Sequence, residues 1–356
     1  MKAEPETQKS VYEWHRWTSL RIDYWKSNNE KSDSSKSATS IAKFDAAQVN
    51  LRLQTLMSDP SLFMEIRDLL IRNKFPITKG THLTIDELKN SLDELWSLEP
   101  SKLFEVEAVL MAFGRPSLLI QDDTFTTPLS EVLKTRLLLH RNKIIRSIRS
   151  VGRIQYQSSA NKGYSMGAAW VLDASLVVTS RSVAKHIQDI WEGSSPWSSS
   201  DADGRVEIEL KGEWDRSPKV TTKVTDVIYE SENTEGDFAI LKIQSDPSFS
   251  YLSKETPESS TLIEGTNLAL IGYPCLLDDS SVQPQYFPKR LSIGRLTTCY
   301  RNRFSHDCLS SGTSSGSLVI DIDTGKIAGI HSGVQGSGSF ATRADVIFAK
   351  LHRLRG

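Results

Sequence analysis

Residues 314–320 read Ser-Ser-Gly-Ser-Leu-Val-Ile, a run of small residues that leads directly into an apolar strand. The turn sequence Asp-Thr-Gly follows at 323–325, and the next strand contains Gly-Ile-His-Ser-Gly at 329–333. A serine on a tight turn of small residues can expose its hydroxyl beside backbone N–H groups that bind an oxyanion. The stretch therefore predicts a β-hairpin, preceded by a loop that carries a candidate nucleophilic serine.

Short apolar runs separated by turn residues surround this stretch, from about Val151 to the end of the chain. Val206, Ile208 and Leu210 alternate with polar residues, which is the pattern of a strand with one buried face. Many short strands at this spacing favour a barrel or a sandwich, and roughly 200 residues suit two six-stranded barrels. Residues 151–356 are therefore predicted to form a double β-barrel.

Two further elements place polar side chains next to apolar strands. Asp237 opens the strand Phe-Ala-Ile-Leu-Lys-Ile at 238–243. The strand Leu-Val-Val-Thr at 176–179 leads into a short turn that contains Ser182. A nucleophilic serine needs a general base, and that base is oriented by a third group, so these two turns are candidates for the rest of a catalytic site.

Taken in order, these elements resemble the motifs of the chymotrypsin-like serine peptidases, and most closely those of the glutamyl-endopeptidase-like bacterial branch. The resemblance covers roughly residues 151–350. In the first half of this range it rests on VGRI at 151–154, on GAAW at 167–170 for the family's G-T-G-W, on TSRSV at 179–183 for T-N-R-H-V, and on Asp237 for the aspartate of D-x-A-L-L. In the second half it rests on GYP at 272–274, on KRLSIG at 289–294 for K-R-x-x-x-G, and on HDCLSSGTSSGS at 306–317 for H-D-x-S-T-x-G-G-N-S-G-S. It implies a chymotrypsin-like double β-barrel.

The resemblance also implies a role for each matching position. Ser315 would be the nucleophile that attacks the scissile carbonyl, and Asp237 would orient a catalytic histidine. The backbone amides of Thr313 and Ser315 would form the oxyanion hole. Substrate-binding positions that recognise an acidic or amide side chain would be Ser310, His331 and Ser332. Without the family frame, His331 would be interpreted as a buried strand histidine.

Three departures from the family pattern bear on activity. Ser182 stands at the position of the catalytic histidine, and a hydroxyl cannot accept the nucleophile's proton near neutral pH. Thr313 replaces the glycine of the oxyanion hole, where a β-branched residue resists the backbone conformation that glycine tolerates. Ala169 also replaces a glycine. The sequence therefore predicts a pseudopeptidase, with no good substitute base among His140, His186 and His306.

The residues that precede the barrels combine a polar arm with helical patterns. Residues 1–40 hold an aromatic cluster and the polar tract 27–40, and they are predicted to form a flexible N-terminal arm. The aromatic cluster is either a docking peptide or a set of residues packed on the neighbouring domain. Residues 41–128 are predicted to form a helical interaction domain, with a helix start at 59–60 and a capping box at 84–87. This domain is an adaptor or a structural cap.

Residues 129–150 are predicted to form a basic helix that links the helical domain to the barrels. No acid interrupts its basic residues, which are Lys134, Arg136, Arg141, Lys143, Arg146 and Arg149, with Arg153 just beyond. Such a charge run is usually a solvated helix face. Contact with an acidic partner or with nucleic acid is the alternative, and this helix is the chain's only hint of it.

Composition bounds the remaining classes. The chain has 43 basic and 44 acidic residues, and this net charge of −1 argues against a global attraction to nucleic acid or membranes. Its three cysteines lack the spacing of a disulfide framework, and no apolar run suits a signal peptide or a membrane span. No metal-binding motif such as HExxH is present. These features predict a cytoplasmic protein without a metal or cofactor.

Three functions are compatible with this sequence. The first is an inactive or strongly impaired trypsin-like peptidase homologue that binds a protein or peptide, as a regulatory component of a bacterial defence or signalling pathway. The second is a serine endopeptidase that cleaves after Glu, Asp or Gln once a partner activates it. The third is a scaffold or substrate, in which a partner protease cleaves the tract 27–40.

Overall fold

The computed structural model describes residues 59–62, 64–65, 114–158, 163–195, 204–213, 220–232, 234–245, 259–274, 288–335 and 338–355. The chain divides into two units, Met1–Pro116 with Thr127–Thr135, and Ser117–Thr126 with Arg136–Gly356. The predicted N-terminal arm and the capping box at 84–87 lie outside the described residues, as does most of the predicted helical domain.

The first described element begins at the helix start expected at 59–60. Residues 60–62 and 64–65 are helical, and the Leu62 N–H donates to the Asp59 carboxylate at 3.2 Å. Asp59 therefore caps the helix, because its carboxylate satisfies a donor that the first turn leaves free.

In the sequence, a short hairpin precedes the barrels. Strand β1 spans Ser117–Gln121 and strand β2 spans Thr124–Phe125, and Asp122 and Asp123 close the hairpin with positive φ. Aspartate is one of the residues that tolerate this left-handed backbone. The hairpin falls in the range 41–128 that was expected to be helical. Local periodicity does not reveal it, because the partner of Ser117 in the ladder, Ser292, lies 175 residues downstream.

Two helices occupy the range where a single basic helix was predicted. Helix α1 spans Glu131–Leu139 and helix α2 spans Arg141–Ser150, and His140 between them has φ −116° and ψ 23°. The basic side chains of α2 bind their own chain. Arg141 donates to the Thr124 hydroxyl at 3.2 Å, Lys143 to the Thr324 carbonyl at 3.2 Å, and Arg149 to the Asp123 carboxylate at 3.1 Å. Three side chains of the predicted basic run are therefore bonded to other parts of the same chain.

The first barrel is closed and antiparallel. Its elements are β3 (Val151–Gln157), β4 (Gly163–Val171), β5 (Leu176–Thr179), helix α3 (Arg181–Trp191), β6 (Arg205–Glu209), β7 (Thr221–Glu230) and β8 (Ala239–Ile243). The strands follow the order β3-β4-β5-β8-β7-β6 around the barrel. Ile154, Val177, Ile208 and Leu241 are fully buried in its core.

The second barrel has the same architecture. Its elements are β9 (Asn267–Gly272), β10 (Arg290–Cys299), β11 (Arg303–His306), β12 (Leu318–Asp321), β13 (Ile327–Gln335) and β14 (Gly338–Arg343), followed by helix α4 (Ala344–Arg355). The order β9-β10-β11-β14-β13-β12 closes the barrel, and β1 adds to β10. The predicted double barrel is confirmed. No helix in the described ranges is long and apolar enough to cross a membrane.

A buried ionic cluster joins the two barrels. Arg153 of β3 donates to the Glu209 carboxylate of β6 through Nε at 3.2 Å, and the Tyr273 ring centroid lies 5.2 Å from the Arg153 guanidinium carbon. Lys289, at the start of β10, is fully buried and donates to the Leu210 carbonyl at 2.6 Å. Burial lowers the pKa of Lys289 to about 8. Buried charges need such partners, so the cluster fixes how the barrels meet.

Candidate active site

Asp237 lies beside the start of α3 because of the register between β5 and β8. Thr179 pairs with Ala239 in that register, so Arg181 and Asp237 come side by side beyond the strand ends. The Arg181 backbone N–H donates to the Asp237 carboxylate at 2.9 Å. The Asp237 backbone N–H donates to the Thr342 hydroxyl at 2.8 Å. These bonds hold the carboxylate at the first turn of α3.

Ser182 is the second residue of α3 and directly follows the residue that binds Asp237. Ser180 caps the helix, since its hydroxyl accepts the Val183 N–H at 3.4 Å. The Ser182 and Ser180 hydroxyls lie 3.0 Å apart, and the Ser182 side chain is exposed. The Ser182 hydroxyl is therefore bonded to the helix cap.

Ser315 lies in a loop that packs closely on the first barrel. The short 3₁₀ turn Gly312–Ser314 precedes it, and Gly316 follows it with φ +88°. A Cβ on Gly316 would lie 1.9 Å from the Ala168 carbonyl oxygen, so only glycine fits there. The Ala168 N–H donates to the Ser315 carbonyl at 2.8 Å. The Ser315 backbone is thus held against β4, the strand beside β5.

Ser332 connects the Ser315 hydroxyl to Asp237. The Ser315 hydroxyl donates to the Ser332 carbonyl at 3.4 Å, which is long for a bond between a hydroxyl and an oxygen. The Ser332 hydroxyl donates to the Asp237 backbone carbonyl at 3.3 Å and lies 3.2 Å from the Thr342 hydroxyl. The structure therefore brings Ser182, Asp237 and Ser315 together where the two barrels meet.

Within the described ranges, no histidine nitrogen is hydrogen-bonded to the Ser315 hydroxyl. Each of the histidines there has another environment: His140 precedes α2, His186 and His352 are exposed on α3 and α4, and His306 and His331 are buried and bonded to each other. None of these rings is therefore in place to take a proton from Ser315.

Thr313 lies inside the 3₁₀ turn, and its φ is not positive. Its hydroxyl donates to the Tyr273 carbonyl at 2.8 Å, which fastens the turn to the end of β9. Within the turn, the Ser314 N–H donates to the Ser311 carbonyl at 2.9 Å. The Thr313 side chain and the Ser314 backbone thus fix the turn that precedes Ser315.

The residues expected to recognise substrate form a cluster behind the Ser315 loop. His306 Nε2 and His331 Nδ1 lie 3.0 Å apart, and both rings are buried. The Ser310 hydroxyl lies 2.7 Å from the hydroxyl of Ser339, which pairs with His306 across β11 and β14. The His331 carbonyl accepts the Gly316 N–H at 2.7 Å. Ser310 is thus connected to His331 through Ser339 and His306, and their role in substrate recognition stays a prediction.

Burial dominates the ionisation of these groups. It raises the pKa of the Asp237 carboxyl, although the backbone N–H and the guanidinium of Arg181 lower that pKa in part. Burial lowers the pKa of His306 to about 3. Burial, together with the neighbouring His306, lowers the pKa of His331 well below its ordinary value. Both histidine rings are therefore neutral near pH 7.

Acid is expected to destabilise the domain through this histidine pair. The unfolded chain takes up protons below pH 6.5, whereas the folded His306 stays neutral until about pH 3. The histidine contribution to stability is thus complete above pH 6.5 and is lost as the pH falls. The expected slope is about 1.4 kcal/mol per pH unit for each histidine. Urea unfolding between pH 7 and pH 5 measures it. The slope should decrease in His306→Gln and stay unchanged in His186→Gln; equal slopes in all three proteins would contradict this.

Sequence reasoning missed two residues that hold the site. Thr342 binds the Asp237 backbone although it lies 105 residues downstream, and nothing in its local sequence marks it. Ser332 was expected to bind substrate, but its hydroxyl supports Asp237. The register of β13 and β14 decides both contacts.

The chain is similar to one protein family and to solved structures. Residues 167–330 match the family described as the trypsin-like peptidase domain. Among solved structures, the chain is similar to the crystal structure of the active form of the Rv3671c protease from M. tuberculosis, with 15% identity and a TM-score of 0.39 over 61% of this chain and 85% of that one. No curated protein matches the chain. Residues 167–330, which include Asp237 and Ser315, thus resemble a trypsin-like peptidase domain.

Proposed function

We propose that this domain is a silent or strongly impaired peptidase that binds a protein or peptide segment, and that the N-terminal part recruits a partner. One observation carries the proposal. The Arg181 N–H binds the Asp237 carboxylate at 2.9 Å, so the next residue, Ser182, stands where an acid would orient a histidine. A serine hydroxyl at that place cannot store the proton that Ser315 must lose.

A serine in place of the catalytic histidine is expected to lower the turnover rate strongly. Removing the serine or the histidine of a catalytic triad lowers turnover by about 10⁶-fold in subtilisin. Thr313 is a second impairment, because it stands at the position of the family's oxyanion-hole glycine, and a hole that stabilises an oxyanion needs N–H donors that converge on one point. The missing base and the changed oxyanion hole together favour a protein that binds peptides over an enzyme with a reduced turnover rate.

The exposed edge of β13 supports the binding role. The ladder between β12 and β13 ends at Leu318 opposite Ile330, whereas β13 pairs with β14 as far as Gln335. Among the described strands, residues 332–335 of β13 therefore have a partner on one side only. An extended segment can add to such an edge through main-chain hydrogen bonds.

A serine-directed fluorophosphonate probe tests the silence of Ser315. We expect the wild-type protein to be labelled no more than Ser315→Ala, because no base activates the hydroxyl. A displayed library of 12-residue peptides tests binding, and we expect it to yield binders of the wild-type protein. Labelling that depends on Ser315, or efficient cleavage of the library, would refute the proposed inactivity. A library without any binder would refute the binding role.

The histidine cluster favours a second candidate function, an endopeptidase that a partner activates. The His331 carbonyl accepts the Gly316 N–H, so His331 lies next to the Ser315 loop, and an imidazole N–H is a donor that suits an amide or carboxylate oxygen. Cleavage after Glu, Asp or Gln would follow if the partner supplied a base. Partner-dependent cleavage that disappears in Ser315→Ala would favour this candidate.

A further inference from the structure

The Asp237 carboxylate is only partly satisfied. Its Oδ1 accepts the Arg181 N–H at 2.9 Å, and no other donor in the described ranges is hydrogen-bonded to the carboxylate. The Arg181 guanidinium donates to the Ser231 carbonyl at 3.4 Å. Because the carboxylate is half-buried, water replaces the missing donors incompletely, and a ligand with an N–H group would stabilise it.

The Ser315 hydroxyl, on the neighbouring loop, is also weakly bonded. Its donation to the Ser332 carbonyl spans 3.4 Å, while the Ser315 backbone is fixed by Ala168 and Gly316. The hydroxyl can rotate at little cost, because a bond of this length contributes little. It therefore has a proton to give to a better acceptor.

The Ser182 hydroxyl is hydrogen-bonded to neither of these two groups. Its side chain is small and exposed, and its hydroxyl lies 3.0 Å from that of Ser180, at the cap of α3. A group that donates to Asp237 and accepts from Ser315 must have two polar atoms on opposite sides. A neutral imidazole has this arrangement, with one ring nitrogen as donor and the other as acceptor.

We propose that Asp237 and Ser315 form a binding site for a histidine side chain that belongs to the bound partner segment. One ring nitrogen of the partner histidine donates to the Asp237 carboxylate, and the other accepts the Ser315 hydroxyl. The inference rests on the proposed binding function and names the residue that this site selects. The partner thus carries the imidazole that the chain itself lacks.

N-acetyl-histidine amide and N-acetyl-phenylalanine amide are the small probes for this site. Titrations followed by NMR should show the histidine amide binding at least about tenfold more tightly, since hydrogen bonds to a charged group are the stronger ones. Asp237→Asn should abolish the preference, because it removes the charge at the same size. Ser182→His should abolish it too, because an internal imidazole then occupies the site. Equal binding of both amides to the wild-type protein, or a preference that survives in both variants, would overturn the site.

The 12-residue peptide library separates this inference from the proposed function. Histidine should be enriched at one fixed position among peptides that bind the wild-type protein, and the enrichment should vanish when the library is screened against Ser182→His. Binders without a preferred histidine would overturn the histidine site and leave the binding function intact. A library that yields no binders would overturn both.

Discussion

Ser182→His, combined with Thr313→Gly, is expected to raise Ser315-dependent peptide hydrolysis by at least about 1,000-fold, a part of the 10⁶-fold that a triad histidine or serine contributes in subtilisin. The β5–β8 register already brings Arg181 beside Asp237, so a ring at position 182 can reach the same carboxylate. Ser182 is exposed on the first turn of α3, and the larger side chain has room. The gain should appear in turnover of peptides with Glu, Asp or Gln before the scissile bond.

The two substitutions separate the two defects. Ser182→His alone restores a base, and Thr313→Gly alone frees the backbone of the 3₁₀ turn to place its amides around an oxyanion. We expect a small increase in peptide hydrolysis from Ser182→His, no increase from Thr313→Gly, and the full increase from the double variant. Ser182→Ala is the matched control, and adding Ser315→Ala must remove the activity. An inactive double variant that still folds would show that Ser315, Asp237 and residue 182 do not form a triad.

Arg153→Met is expected to lower the free energy of unfolding by about 3–5 kcal/mol, because it leaves the Glu209 charge buried without its partner. Both side chains are nearly inaccessible, with 5% of Arg153 and 3% of Glu209 exposed. Methionine retains most of the volume of the arginine side chain. The loss of unfolding free energy is therefore due to the missing charge and its hydrogen bonds. Urea unfolding at pH 7 measures it.

A surface ion pair on helix α1 gives the control. Lys134 contacts Glu131 at 3.1 Å with 38% of the Lys134 and 75% of the Glu131 side chain exposed, and Lys134→Met should cost less than about 1 kcal/mol. The double variant with Arg153→Met and Glu209→Leu should recover part of the loss, since no charge remains buried. Similar losses from Arg153→Met and Lys134→Met would contradict this account of the cluster.

The cluster also connects stability to the site. The Tyr273 ring packs on the Arg153 guanidinium, and the Tyr273 carbonyl accepts the Thr313 hydroxyl at 2.8 Å. Tyr273 therefore contacts both the barrel interface and the turn that precedes Ser315. Neither Arg153 nor Tyr273 has a sequence signal for this role beyond its motif position.

Local sequence was sufficient for elements that depend on nearby residues. The short apolar runs and turn residues from Val151 onward predicted two barrels, since strand and turn signals are carried by nearby residues. Asp59 and Pro60 predicted the start of a helix, because the capping carboxylate bonds an N–H of its own first turn. The grouping of Ser182, Asp237 and Ser315 into one catalytic site rests on the family resemblance and stays a prediction.

Tertiary structure alone decided the contacts between distant parts of the chain. The bond from Asp237 to Thr342, the addition of β1 to β10, and the docking of Gly316 on Ala168 depend on strand register, which no single segment encodes. The same holds for the 3₁₀ turn at Gly312–Ser314, because the Tyr273 carbonyl that fastens it belongs to another strand's end. Side-chain periodicity is a local property of each strand, whereas the hydrogen-bond partners of that strand are determined only when the barrels close.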